Sequence, residues 1–207
     1  MKKKMKLSDI ILPNKKINYF VITILVLGII SGSIFIVTLN KIDKNNTISQ
    51  ITNFITNINN NSINNVQALK NSIIINNIFI LLIWILGLTI IGILINIFLT
   101  YLKGFITGFS ISSIILTYKY KGILMALLYI FPSVLFNLVV ILTLTIYSIM
   151  FSSNLLKIIL SKRNNPRLML KKYTIILLIC IFISLISSLF EVYVFPYLLK
   201  QIISLYI

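Results

Sequence analysis

Apolar runs long enough to cross a lipid bilayer, set between basic segments, constrain this chain more than any other feature. Residues 17–39 carry no charged side chain. As a helix that run reaches roughly 34 Å, more than the ~30 Å hydrocarbon core. Further apolar stretches occupy 73–102, 104–118, 122–156 and 173–196. Hydrophobic residues make up 58% of the 207 residues and charged residues 11%. A soluble domain is closer to half apolar and a quarter charged, so the excess must face lipid. The fold class that follows is all-α: a polytopic membrane helical bundle of about five transmembrane helices, with an additional amphipathic helical segment.

The division expected over the single integral membrane domain 1–207 begins with a basic leader, 1–16, and a first span, 17–39. A positive leader before an apolar run resembles a signal peptide, but this run is long for one and no small-x-small cleavage site follows it, so it reads as a retained anchor. A polar, Asn-rich loop at 40–72 comes next, then a second span at 73–102. Residues 104–118 form a short third span or a re-entrant piece. A fourth span, 122–156, is broken by Pro132, because proline removes a helix hydrogen bond and clashes with the preceding turn. A basic loop at 157–172 leads to a last span, 173–196, ending at Pro196, and to a tail at 197–207.

The net charge of +16 arises from 19 Lys and Arg against three acids, Asp9, Asp43 and Glu191. In a soluble protein this imbalance would point to nucleic acid. Here the basic residues flank the spans, where they hold one face of the membrane protein against anionic lipid, and no nucleic-acid partner is expected. With the N-terminus inside, thirteen basic residues fall in cytoplasmic segments: six in the leader, Lys103, and six in the 157–172 loop. Six fall outside: Lys41, Lys44, Lys70, Lys119, Lys121 and Lys200. The expectation is therefore N-in, C-out.

Within the loop at 40–72, Thr47 followed by Gln50 fits a capping box at a helix start. Ile48, Ile51, Ile55 and Ile58 recur at three- and four-residue steps, with Phe54 beside them, and so share one helix face. Ile63, Val66 and Leu69 form a weaker stripe. Two readings stand for this segment: its apolar face lies on the protein's own helices or on lipid, or it docks a partner. Gly104 and Gly108 have the GxxxG spacing that lets two helix backbones approach closely, either within the chain or in a homo-oligomer.

Little in the chain suits catalysis. There is no histidine and a single cysteine, Cys180, so a His or Cys metal cluster is excluded by counting, no cofactor is expected, and Ser110, Ser112 and Ser113 have no histidine to activate them. The chain is expected not to be an enzyme. Glu191 stands out as an acid in the last span, where a carboxylate must be paired, protonated or near water. Lys119, Lys121 and Lys200 are its expected partners near the outer interface.

Several stretches, in order, make the chain resemble the stage II sporulation protein M family: Leu27-Gly28-Ile29-Ile30-Ser31-Gly32, Trp84-Ile85-Leu86-Gly87, Leu102-Lys103-Gly104-Phe105-Ile106-Thr107-Gly108-Phe109, Leu128-Tyr129-Ile130-Phe131-Pro132, and Phe190-Glu191-Val192-Tyr193-Val194-Phe195-Pro196. Some relatives carry a His after the mid-chain proline and a Glu soon after it; Ser133 and Asn137 stand at those places here. The resemblance implies a multi-pass protein of the cell membrane of Gram-positive bacteria that acts in endospore engulfment. It would anchor an amidase and a lytic transglycosylase of the cell wall at the septum. A permease or transporter subunit is the alternative, favoured by the short 104–118 segment, the Pro132 break and Glu191.

Overall fold

The computed structural model describes residues 15–60, 62–161 and 166–206. Most of the leader, with Asp9, and Lys162 and Arg163 of the basic loop lie outside those residues. Helix α1 spans Lys15–Thr38, α2 Lys41–Asn59, α3 Asn65–Gly87 and α4 Gly92–Tyr129. A π-helical turn, Ile130–Val134, leads into α5, Leu135–Ser161. Helix α6, Pro166–Leu189, passes through a second π-helical turn, Phe190–Val194, into α7, Phe195–Tyr206. Among the described residues there are no strands, and five helical segments are long and apolar enough to cross a membrane. Helices suit this setting because each satisfies its own backbone polar groups where no water can.

Burial runs opposite to that of a soluble protein. Asn96, Thr100, Thr145, Ser148, Ser152 and Ser188 are fully buried, whereas Leu94, Phe98, Leu178 and Phe182 are all more than half exposed. The lipid-facing surface is apolar and the polar side chains tie helices together from within.

Helices α1 and α4 run parallel and approach most closely along two facing glycine pairs. A methyl group at Gly28 or Gly32 would overlap the carbonyl oxygens of Tyr101 and Phe105; one at Gly104 or Gly108 would overlap those of Leu25 and Ile29. The GxxxG of α4 is thus occupied by a second one on α1, within the same chain. Ser33 Oγ donates to Gly108 O at 3.3 Å, and Tyr101 OH to Ser31 Oγ at 2.8 Å. Phe35 closes the far end of the seam on Phe105 and Phe109, with ring centroids 5.4 and 6.2 Å away.

The apolar stretch at 73–102 is not one span. Helix α3 starts at Asn65, where Asn64 Oδ1 accepts from Val66 N and Gln67 N, and stops at Gly87. The chain turns over Leu88–Ile91 and returns as α4. Consequently 104–118 is neither a thin span nor a re-entrant piece but the outer part of α4. The turn needs no charged residue because other helices satisfy its carbonyls. Ser152 Oγ donates to Gly87 O and Thr89 O, at 2.7 and 2.9 Å, and Tyr173 OH donates to Trp84 O at 3.2 Å. Asn96 Nδ2 donates to Ile83 O at 3.0 Å.

A second reversal, at Lys119, separates the 92–118 arm of α4 from the 120–129 arm. Lys119 has φ 52° and ψ −123°, a conformation costly for a side chain with a Cβ. Gly122 lets the returning arm pass close to the backbone of Ile114 and Ile115. Pro132 does not break the fourth span. It lies in the first π-helical turn, whose wider spacing accommodates a residue without an N–H. Nor does Pro196 end the last span: it falls in the first turn of α7, so the tail at 197–206 is helical.

Candidate functional site

The two π-helical turns face each other at the α2 end of the bundle. Phe136 and Phe190 meet there with ring centroids 6.1 Å apart, and Ser187 Oγ donates to Ser133 O at 2.7 Å. Such turns leave backbone groups out of the regular ladder and concentrate at functional positions. Glu191 lies in the second of them. Its Oε2 accepts from Ser72 Oγ at 2.7 Å. Asn76 Nδ2 donates to Ser72 Oγ at 3.3 Å and to Ser188 Oγ at 3.4 Å, which closes a small polar web among α3, α6 and the carboxylate.

Lys103 lies in the field of Glu191, although charge counting assigns it to a cytoplasmic loop. Lys103 instead sits near the middle of the 92–118 arm of α4, next to the glycine seam, with Nζ 5.2 Å from the ring centroid of Phe79. An aromatic face and the field of the Glu191 carboxylate compensate it for leaving water. Among the expected partners of Glu191, Lys119 lies at the hairpin turn; the hydrogen-bond partner of the acid is Ser72.

These charges are expected to be coupled. Lys103→Met and Glu191→Gln should each destabilise the purified protein, and the double variant should cost less than their sum by about 0.5–3 kcal/mol, the range for residues that interact. Unfolding of the four proteins in one detergent measures this. Strict additivity would show that the two charges act independently.

Beside Glu191 is a partly open cavity of about 360 Å³. One wall is α2, through Thr47, Gln50, Ile51, Phe54 and Ile55; the others come from Phe109, Ser110, Ser113 and Ile114 of α4, from Met125 and Tyr129, and from Phe195 and Leu199 of α7. Tyr129 hydrogen-bonds Ser110 and meets Phe195 edge to face, 5.8 Å between centroids.

The α2 stripe expected to be available to a partner is largely turned inward. Ile55 and Ile58 are buried against Met125, Phe195 and Leu199, with Ile51 partly buried beside them. Ile48 is also partly buried, and Phe54 is 52% exposed. The capping box is not formed either. Helix α2 begins at Lys41, with Asp43 in its first turn to complement the helix dipole, and Thr47 Oγ1 bonds Asp43 O inside the helix. Of the residues singled out from sequence, the structure brings together Glu191, Ile51, Phe54 and Ile55 at one cavity and Gly104 with Gly108 at one seam. Pro132 and Pro196 lie in or just after the π-helical turns. Sequence reasoning missed Lys103 as an intramembrane cation, although its position inside an apolar stretch between Leu102 and Gly104 was available as a signal.

Chemically, the site offers a carboxylate and several hydroxyls within apolar and aromatic walls, an arrangement suited to holding a polar group out of water. No curated protein and no solved structure matches the chain. The sequence model of one family does: it is described as stage II sporulation protein M, and it matches residues 21–196, from the first span to the proline after Glu191. That match takes in all or most of each of the five spanning segments found among the described residues and both π-helical turns, and the chain belongs to the stage II sporulation protein M family.

Proposed function

We propose that this protein is a scaffold of the cell membrane, without an active site of its own, that recruits peptidoglycan-degrading enzymes to the septum during endospore engulfment. An amidase and a lytic transglycosylase are the partners implied by the family resemblance. The observation that carries the reading is α2. Its apolar stripe is largely spent on the bundle, so the helix forms a fixed ledge, from which Ile42, 75% exposed on the opposite face, and Phe54, 52% exposed at the rim of the cavity, still project. Orientation supports it too. With Lys103 inside a span, twelve basic residues remain on the leader and basic-loop side against six on the α2 side, which favours α2 outside the cell.

Affinity capture of the tagged protein from sporulating cells in mild detergent tests this. Cell-wall hydrolases should co-purify with the native chain and be lost from an Ile42→Ser/Phe54→Ser variant that is still inserted at the same level. Equal recovery from that variant would remove the outer face of α2 as the dock.

A permease or transporter subunit is the second reading, and the intramembrane Lys103 and Glu191 beside a cavity favour it. Against it, a layer of Ile80, Ile83, Val140, Ile141 and Leu144 separates the Glu191 web from the opposite end of the bundle. Reconstituted vesicles that move a solute in a Glu191-dependent way would favour the transporter; tight vesicles would favour the scaffold.

A further inference from the structure

We infer that the cavity under α2 is a binding site for a primary ammonium group carried on an apolar body, with Glu191 as its counter-charge. Three observations lead there. First, Glu191 lines the cavity while one of its oxygens, Oε2, is held by Ser72, so the carboxylate is fixed in place. Its cationic neighbour, Lys103, is directed onto the ring of Phe79 and does not line the cavity. Second, the polar atoms around it suit a donor. Gln50, Ser110 and Tyr129 line it; the Ser110 hydroxyl donates to Ile106 O and bonds Tyr129, so the capacity left on these oxygens is for accepting, and an ammonium brings three N–H donors to place among them. A quaternary ammonium has none. Third, the remaining wall is apolar and aromatic, including Phe109 and Phe195; such rings attract a cation over their faces and bury the body that carries it.

Charge makes the site selective. On this side of the bundle Lys41, Lys44, Lys70, Lys119, Lys121 and Lys200 outnumber Asp43 and Glu191. Glu191 is thus the recessed acid of an otherwise basic end of the bundle. The ammonium has two possible sources, the headgroup of an aminophospholipid or a free small amine, and the chemistry at Glu191 is the same for both. The site stands whether the chain serves as a scaffold or as a transporter.

The test uses the full chain in phosphatidylcholine nanodiscs, titrated with 2-phenylethylammonium by calorimetry. Saturable binding is expected, at least tenfold tighter than that of the uncharged, near-isosteric 2-phenylethanol and at least tenfold tighter than binding to Glu191→Gln, as befits a charge-assisted hydrogen bond. Ser110→Leu, which keeps the carboxylate but fills the cavity, should also lose binding. If Glu191→Gln does not melt and elute like the native protein, the alcohol comparison and Ser110→Leu carry the result. No saturation by the native chain, equal affinity for the alcohol, or unchanged binding by a folded Glu191→Gln would overturn the inference. Repeating the titration in nanodiscs containing phosphatidylethanolamine assigns the source. Weakened probe binding identifies the lipid headgroup as occupant, unchanged binding identifies a soluble amine, and both results sustain the site.

Discussion

Gly108→Leu is expected to abolish the folded state, and Gly104→Leu to do the same. In a soluble core an added side chain usually costs about 1–3 kcal/mol, because neighbouring side chains rotate away. Here the neighbours are backbone: Ile29 O faces Gly108 and Leu25 O faces Gly104. Backbone of a helix can yield only if the whole helix moves, and α1 is held on the other side of the seam by the reciprocal constraint at Gly28 and Gly32. Separating the helices would also withdraw Ser33 from Gly108 O and Tyr101 from Ser31. The loss should exceed about 3 kcal/mol, a large share of the 5–15 kcal/mol typical of a folded domain. Size-exclusion profiles after stepwise heating in detergent check it. The native chain should elute as one species and the leucine variants as aggregate at every temperature. Ile106→Ala, on the same helix but 48% exposed, should shift the melting point little, since surface changes stay within about 0.5 kcal/mol. If Gly108→Leu melts with the native protein, the seam does not hold the fold together.

That seam shows how unevenly the sequence discloses the structure. The number of crossings and the helical class follow from run length and composition, because a bilayer demands both of any chain that spans it. Gly104-xxx-Gly108 is legible as a close-packing motif, and Gly28-xxx-Gly32 has the same spacing on α1, so the pair was in principle readable. The boundaries were not. The stretch at 73–102 contains a full reversal at Leu88–Ile91 with no polar residue but Thr89 to mark it. Its carbonyls are satisfied by Asn96 from the returning helix and by Ser152 and Tyr173, which arrive from elsewhere in the chain, and a local pattern cannot contain the last two. The clue was length: thirty residues of helix would reach roughly 45 Å, well beyond a hydrocarbon core. The reversal at Lys119 is equally hidden, since the residue with positive φ is not glycine; the glycine that makes the turn possible is Gly122.

The candidate site was legible in fragments. Glu191 was conspicuous as an acid among apolar residues, and the α2 stripe was evident from its spacing. Their meeting at one cavity was not, because it depends on α7 continuing past Pro196 and on the 120–129 arm folding back beneath α2. Proline in the sequence implies a break at 132 and the end of a span at 196. Pro132 lies within a π-helical turn and Pro196 just after one, and in both places the helix goes on.

Ile55→Ser/Ile58→Ser should release α2 from the bundle while leaving the five spans folded, and this separates a structural stripe from a docking one. Ile55 and Ile58 are 6% and 2% exposed and pack on Met125, Phe195 and Leu199. Truncating a buried isoleucine costs about 2–5 kcal/mol, so two such changes exceed what a 19-residue helix with few other ties can bear. A released native α2 would still have a refuge, since an amphipathic face can lie on lipid. Serine at both positions removes that option as well, and α2 is left exposed to solvent. Hydrogen exchange of the α2 amides measures the outcome. Protection should fall by at least a hundredfold in the double variant, while α3 and α5 remain protected. Phe54→Ser should leave exchange nearly native, because Phe54 is half exposed and the buried pair stays in place. Partner capture then reads differently for the two variants. A partner that grips the exposed side chains of α2 is lost from both, whereas a partner lost only from Ile55→Ser/Ile58→Ser depends on the seating of α2 on the bundle. Native-like protection of α2 in the double variant would mean that the stripe does not hold the helix down and is available for docking after all.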